Sequence, residues 1–213
     1  MQINLQEIIP GYIDKNNING SQVWGQEIII KKGEHLHIVA PSGTGKTSLI
    51  HFIYGLRKDY TGTISYDTTD IKKLSTESFS SFRQNKISII FQDLRLFEDH
   101  TAKENIEIKR ILDPYHPKEK IGDMAKMLGI ETKLNQQVKL CSYGEQQRIA
   151  IIRSLMQPFD FILLDEPYSH LDEANRKKAT ELIYEECEQR NAAMIFADLK
   201  ELDFLKGEKV LML

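Results

Sequence analysis

Four short stretches of this chain carry residue types that could do chemistry together. The first is Pro41-Ser42-Gly43-Thr44-Gly45-Lys46-Thr47-Ser48. Two glycines before a lysine and hydroxyl residues suit a turn whose backbone N–H groups point inward at phosphate oxygens, with a helix starting behind it to add its dipole. Gly43 and Gly45 allow the close approach and Lys46 reaches the outer phosphates. The Thr47 hydroxyl can ligate Mg²⁺, while Ser42, Thr44 and Ser48 complete the anion-binding run. The second stretch is Asp165-Glu166, closing the run Phe159-Asp160-Phe161-Ile162-Leu163-Leu164, which is apolar apart from Asp160. A carboxylate at the C-terminal end of a central strand sits where doubly wound sheets bind ligands. Asp165 would hold the metal and Glu166 would polarise an attacking water, helped by the dry strand behind it. The third is Gln92, just after the apolar Ile87 to Phe91. The fourth is Ser142-Tyr143-Gly144-Glu145-Gln146-Gln147-Arg148. There Ser142 and Glu145 have the spacing of a capping box, so a helix N-terminus with free N–H groups, itself an anion site, begins at that point.

These residues need a scaffold, and the sequence patterning supplies one. A strand-like opening at Met1 to Asn4 is followed by β character over Gln26 to Ile30 and His35 to Val39. Lys31 to Glu34 form the turn between those two strands. Thr47 to Leu56 has helical spacing. Gly62 to Tyr66 and Ile87 to Phe91 read as strands. From Thr101 to about Leu155 the pattern is helical. Thr101 and Glu104 form a capping box before Ala102 to Ile111, and Pro117 stands in the first turn of a helix over Lys118 to Leu128. Tyr143 to Leu155 makes a third helix. Phe159 to Leu164 suits a central parallel strand covered on both faces. Asp172 caps a long helix over Glu173 to Arg190, and Ala193 to Phe196 with Lys209 to Met212 make the last strands. Strands alternate with helices at both ends around a helical block, which predicts an α/β fold with a doubly wound, mostly parallel sheet.

Composition narrows the class. At 213 residues the chain suits one α/β domain, and its net charge of −3, with no basic block, gives no footprint for nucleic acid. No apolar run approaches the roughly 20 residues that cross a bilayer. Met1 to Asn4 opens without a basic-then-apolar leader, and Cys141 and Cys187 make no disulfide framework. A cytoplasmic chain is expected.

Taken together, the motifs resemble the nucleotide-binding subunit of an ABC transporter, over nearly the whole length. Ser142 to Arg148 looks like that family's signature segment, and its Glu-Gln-Gln-Arg ending is similar to the lipoprotein-releasing, macrolide-efflux and cell-division branch. The resemblance implies a phosphate-loop NTPase core over about 1–92 and 156–213, an N-terminal antiparallel β layer, and a helical subdomain over about 93–155. It implies ATP and Mg²⁺ as ligands, with Thr47, Gln92 and Asp165 at the metal and Glu166 and Gln92 at the attacking water. Ser142 and Gly144 would meet the γ-phosphate of a second protomer, and Asp172, in Ser169-His170-Leu171-Asp172, would cross the dimer. The implied partners are a second cassette, in a homodimer or pseudo-dimer closed by ATP, and an integral membrane subunit docking on Leu94-Arg95-Leu96-Phe97. Through that subunit the chain would sit peripheral to the inner or plasma membrane. An alternative role is a slowly hydrolysing ATP-dependent clamp on a membrane or cell-division partner.

Three positions depart from the family pattern. Ala40 replaces the first glycine of the phosphate loop. Tyr143 replaces the first signature glycine, where it would obstruct the partner's phosphate or stack on nucleotide. No histidine follows His170, so the family's switch histidine is missing; a gapless count puts Leu199 at its place and another register puts Asp198 there. Tyr12 and Trp24 are both candidates to stack on adenine.

Overall fold

A computed structural model describes residues 1–14, 18, 20–200 and 209–213. Two sheets share the chain. The smaller is antiparallel, in the order β2-β1-β4-β5, from β1 (Gln2–Pro10), β2 (Glu27–Lys31), β4 (Tyr60–Tyr66) and the short β5 (Thr69–Asp70). The larger is parallel, in the order β6-β7-β8-β3-β9. It comprises β3 (His35–Val39), β6 (Ile87–Ile90), β7 (Phe161–Asp165), β8 (Ala193–Asp198) and β9 (Lys209–Met212). The helices are α1 (Lys46–Ile53), α2 (Thr76–Asn85), α3 (Ala102–Arg110), α4 (Lys120–Met127), α5 (Tyr143–Leu155) and α6 (Glu173–Arg190).

Strand β7 shows why the parallel sheet is central. All five of its residues are buried, and they divide by parity. Phe161 and Leu163 pack into the core shared with α1 and the antiparallel layer, whereas Ile162 and Leu164 pack into the core shared with α3, α4, α5 and α6. A strand covered on both faces must be apolar throughout, which is why its sequence shows no alternation. Each such side chain contributes roughly 1.5–3 kcal/mol by leaving water. The strand ends at Asp165, the first residue in the run that is both buried and charged.

The helix boundaries have local causes. Thr101 and Ser142 each accept a hydrogen bond from the backbone N–H three residues on, and the glutamate at that position reaches back, so both capping boxes form. Asp172 accepts from the Asn175 N–H and starts α6. Helix α1 ends at Ile53, sooner than its spacing suggested, because the chain turns at Gly55 with φ 70° beneath the Phe79 ring. Helix α2 was not expected. Its Ser- and Thr-rich sequence is a poor helix former, but Ser75 caps it and Phe79 is buried against the core. The antiparallel layer is longer than the sequence suggested, since β1 runs to Pro10 around a bulge at Glu7. Cys141 and Cys187 are free and buried. No described helix is long and apolar enough to cross a membrane.

Candidate functional site

The C-terminal ends of β3, β6, β7 and β8 lie along one edge of the parallel sheet. Val39 is level with Asp198, and Asp165 is level with Ala197. The connections leaving these strands therefore converge, and they are the segments that carry the chemistry: 40–45 after β3, Phe91-Gln92 after β6, Glu166 after β7 and Leu199 after β8.

The loop after β3 wraps the start of α1. Gly45 has φ 105° and would place a Cβ 3.0 Å from the Trp24 ring and 3.1 Å from the Tyr12 hydroxyl, so only glycine fits. Helix α1 has no side-chain cap and no acidic residue in its first turn, which leaves its N–H groups to an incoming anion. Lys46 is buried, and its ammonium donates to the carbonyls of Ala40 (2.9 Å) and Pro41 (3.0 Å) and lies 3.6 Å from a Glu166 carboxylate oxygen. Ala40 is fully buried and its N–H donates to the Asp198 carbonyl, so the missing glycine leaves the strand-to-loop transition intact. Thr44 turns its hydroxyl back onto the Pro41 carbonyl. Ser42 and Gly43 line the cavity, whose volume is about 240 Å³, together with Lys46, Thr47 and Glu166. The Ser48 hydroxyl accepts from both Tyr12 (2.7 Å) and Arg57 (2.9 Å), facing the aromatic wall of that cavity.

Thr47 stands at the centre of an oxygen-rich cluster. Its hydroxyl is 3.1 Å from Asp165 Oδ1 and 3.3 Å from Gln92 Oε1. The Gln92 amide donates to Glu166 at 3.5 Å. Asp165 is fully buried, and its Oδ2 has no hydrogen-bond partner among the described residues. Burial pushes its pKa up to about 6, with Glu166 and Asp93 adding to the rise and Thr47 and Lys46 opposing it. A hydroxyl, an amide oxygen and an orphaned carboxylate oxygen are hard donors suited to Mg²⁺. Among the described residues no group of three His, Cys, Asp or Glu side chains could form a protein-only cage. Glu166 itself has φ 47°, a conformation that non-glycine residues rarely adopt, with its N–H donating to the Ala197 carbonyl.

The two candidate positions for the missing histidine differ in their surroundings. Asp198 is the last residue of β8, opposite Val39, and Leu199 beyond it is exposed. Burial raises the Asp198 pKa and Glu166 adds to the rise, while the Leu199 N–H, which donates to Asp198 Oδ1 at 2.6 Å, and the charges of Arg176 and Lys46 oppose it.

The aromatic candidates also separate. Trp24 is buried at 3% exposure, with its indole N–H donating to the Thr44 carbonyl, so it props the phosphate loop from beneath. Tyr12 is 52% exposed. It lines both the 240 Å³ cavity and an adjoining one of about 570 Å³ that also borders Gly43 and Thr44.

Ser142, Gly144 and Asp172 are not in this cluster; they lie at the starts of α5 and α6. Ser142 Oγ accepts from the Glu145 N–H, and, against the effect of burial, the Ser142 backbone N–H and hydroxyl both hold the Glu145 carboxylate, keeping its pKa below the usual value. Of the expected docking surface, Leu94 is buried and Leu96 packs partly on the core, so only Arg95 and Phe97 are presented to solvent. Arg153 fixes that segment by donating to the carbonyls of Leu94 and Arg95. The sequence reading overlooked Gln147. It is buried on α5, accepts from the His170 N–H at 3.1 Å, and donates to the Glu166 carbonyl and the Ser169 hydroxyl, both at 3.5 Å. Its signal was a polar residue one turn before Ile151 on the helix's buried face.

The ABC transporter family profile matches residues 25–169. The chain belongs to the ABC transporter family. It is an ATPase cassette of that family, with an α/β phosphate-loop fold. A lipoprotein-releasing system ATP-binding protein LolD from Buchnera aphidicola subsp. Schizaphis graminum is 33% identical over 86% of the chain and 81% of that protein. A macrolide export ATP-binding/permease protein MacB from Nitrosomonas europaea is 32% identical over 76% of the chain, but over only 25% of its own length. Both lie in the branch that the Glu-Gln-Gln-Arg ending suggested. Among solved structures, the dimeric bacterial ABC transporter cassette MJ0796 superposes with a TM-score of 0.80 at 26% identity, covering 93% of this chain and 88% of the other.

Proposed function

We propose that this ATPase is the Mg²⁺-ATP-driven subunit of an ABC transporter, closing on a second cassette through ATP and driving a separate integral membrane subunit. The observation that carries the reading is the single cluster formed by Lys46, Thr47, Gln92, Asp165 and Glu166, drawn from three different strand ends. Lys46 and the N–H groups of Ser42 to Thr47, with the Ser48 turn behind them, bind the triphosphate, and Tyr12 offers its exposed ring to the adenine. Mg²⁺ at Thr47, Gln92 and Asp165 would offset the phosphate charge. Glu166, oriented by Gln92 and by its own strained backbone, accepts a proton from the attacking water. Ser142, Gly144 and Asp172 act on the nucleotide of the second cassette, with 93–155 as a helical subdomain and Arg95 and Phe97 toward the membrane subunit. On this reading the chain is cytoplasmic, held at the inner or plasma membrane by that partner, and binds no nucleic acid.

The missing histidine favours a slow version of this cycle, or a clamp that turns over little. Neither candidate position offers the positive donor that the family's histidine supplies: Leu199 has no hydrogen-bonding side chain, and an ionised Asp198 repels phosphate. The test is ATP turnover and sedimentation of the chain with and without ATP and Mg²⁺, alone and with a co-purified membrane subunit. ATP-dependent dimers with turnover stimulated by the membrane subunit are expected. A chain that stays monomeric with both present overturns the proposal.

A further inference from the structure

Tyr143 stands where the signature segment ordinarily has glycine, and nothing in the proposed cycle uses it. Its side chain is 45% exposed and has partners within its own chain. The ring packs edge-on against His170 of the same chain, with centroids 4.2 Å apart, and the hydroxyl donates to the Gln92 carbonyl at 3.4 Å. The neighbouring position could not do this, because a Cβ on Gly144 would come 3.0 Å from the His170 carbonyl oxygen. Tyr143 thus walls a cavity of about 360 Å³ that it shares with Thr47, Gln92, Asp93 and Asp165.

We infer that Tyr143 is a positioning residue, tying the first turn of α5 to Gln92 within one chain and so holding Gln92 over the metal cluster. Two branches leave the N-terminal part of α5 and end at Glu166. One runs from Tyr143 to the Gln92 backbone, and from the Gln92 side chain to Thr47 and Glu166. The other runs from Gln147 to the Glu166 carbonyl and the His170 N–H. A movement of α5 relative to the core is therefore felt at the proposed base and metal ligand together. The ring lies along its own chain's His170, with its hydroxyl on the Gln92 carbonyl, and remains 45% exposed. The inference rests on the reading of Thr47, Gln92 and Asp165 as the Mg²⁺ site.

The test is equilibrium binding of ATP at a series of free Mg²⁺ concentrations, with kcat and KM measured in parallel, on wild type, Tyr143→Phe and Tyr143→Gly. Tyr143→Phe keeps the ring and its packing, so its thermal midpoint and its ATP affinity without Mg²⁺ stay at wild-type values. Loss of one hydrogen bond raises the Mg²⁺ needed for half-saturation about 3–10-fold and lowers kcat more than it raises KM. Tyr143→Gly shows the larger shift. An unchanged Mg²⁺ requirement in Tyr143→Phe overturns the inference, as does faster turnover in Tyr143→Gly at unchanged Mg²⁺ requirement, which would mean that the ring obstructs. Gln92→Ala and Asp165→Asn separate the two levels. If both keep the wild-type Mg²⁺ requirement, the site reading fails and the Tyr143 role fails with it; if they shift it and Tyr143→Phe does not, only the Tyr143 role is lost.

Discussion

Helices α1 and α5 both present an N-terminus that could hold phosphate, and they are finished in opposite ways. Helix α1 begins at Gly45 with no side-chain cap, no acid in its first turn and a buried lysine as its first residue. Helix α5 begins at Ser142 with a complete capping box and Glu145 in its first turn. A helix stabilises itself by capping its donors and placing a carboxylate on its positive end. Helix α5 does both, so it is stable without a ligand, and the anion it can attract meets a glutamate nearby. Helix α1 does neither, and its lysine is held by the Ala40 and Pro41 carbonyls and Glu166 rather than capping the helix. Binding energy for the nucleotide is therefore concentrated at α1, while α5 has only a supplementary contact to give, suited to a second chain that must also let go.

The largest effect should come from the residue that both helices reach. Glu166 contacts Lys46 of α1 and, through its carbonyl, Gln147 of α5. Glu166→Gln should lower kcat by on the order of 10²–10⁴, as expected for a lost general base, with ATP affinity retained and ATP-bound dimers accumulating in sedimentation. Wild-type turnover in this variant would place the base elsewhere.

Next comes the α1 cradle alone. Lys46→Ala deletes the buried cation and should weaken ATP binding on the order of 10–10²-fold, since hydrogen bonds to charged groups contribute about 1.5–3 kcal/mol each. Asp165→Asn should leave Mg²⁺-free affinity near wild type and weaken the Mg²⁺ dependence instead. Titrations with and without Mg²⁺ distinguish the two, and equal affinity for wild type and Lys46→Ala would dissolve the contrast between the helices.

How far these regions were legible in sequence follows the same contrast. The α1 cradle is local: glycine, lysine and threonine within eight residues state their chemistry, and the fully apolar β7 announces where Asp165 must emerge. The partition of Tyr12 and Trp24 was not legible, because both are single aromatics and only the packing of the β layer against Gly45 decides which is buried. Helix α2 was hidden by poor propensity and rescued by Phe79 beneath Gly55. The sequence showed Asp198 and Leu199 as alternatives without showing that Asp198 ends β8 opposite Val39 while Leu199 is exposed beyond it. Tyr143 showed as a departure, but its direction depends on His170 and Gln92, which lie 27 and 51 residues away in the sequence.

Asp198 provides a gain-of-function test. Asp198→His removes a carboxylate from the vicinity of Glu166 and adds a donor, so turnover at saturating ATP should rise about tenfold. That is less than the 10²–10³ typical of one preorganised donor, because the surrounding strand ends are shaped for a smaller side chain. Leu199→His is the control, since that side chain is exposed. A gain in Leu199→His with none in Asp198→His would put the histidine's place at Leu199 instead.

The smallest effect isolates the trans contact of α5 from its self-stabilisation. Ser142 does two jobs on this reading: its oxygen caps the Glu145 N–H, and its exposed hydroxyl turns from Glu145 to a phosphate on the second cassette. Ser142→Ala removes both. Losing the cap costs about 1 kcal/mol, which lowers the thermal midpoint of a chain this size by about 2–4 °C, and the ATP-dependent dimer weakens as well. Ser142→Asp separates the two jobs. Aspartate caps as well as serine, so the thermal midpoint should stay within about one degree of wild type, but the added charge faces the partner's phosphate and should weaken the dimer more than alanine does. Both variants are compared in the Glu166→Gln background, where the dimer is long-lived, by sedimentation across an ATP series. If Ser142→Asp dimerises at the wild-type ATP concentration while holding its thermal midpoint, the α5 N-terminus meets no phosphate, and the capping box is all that the signature serine contributes.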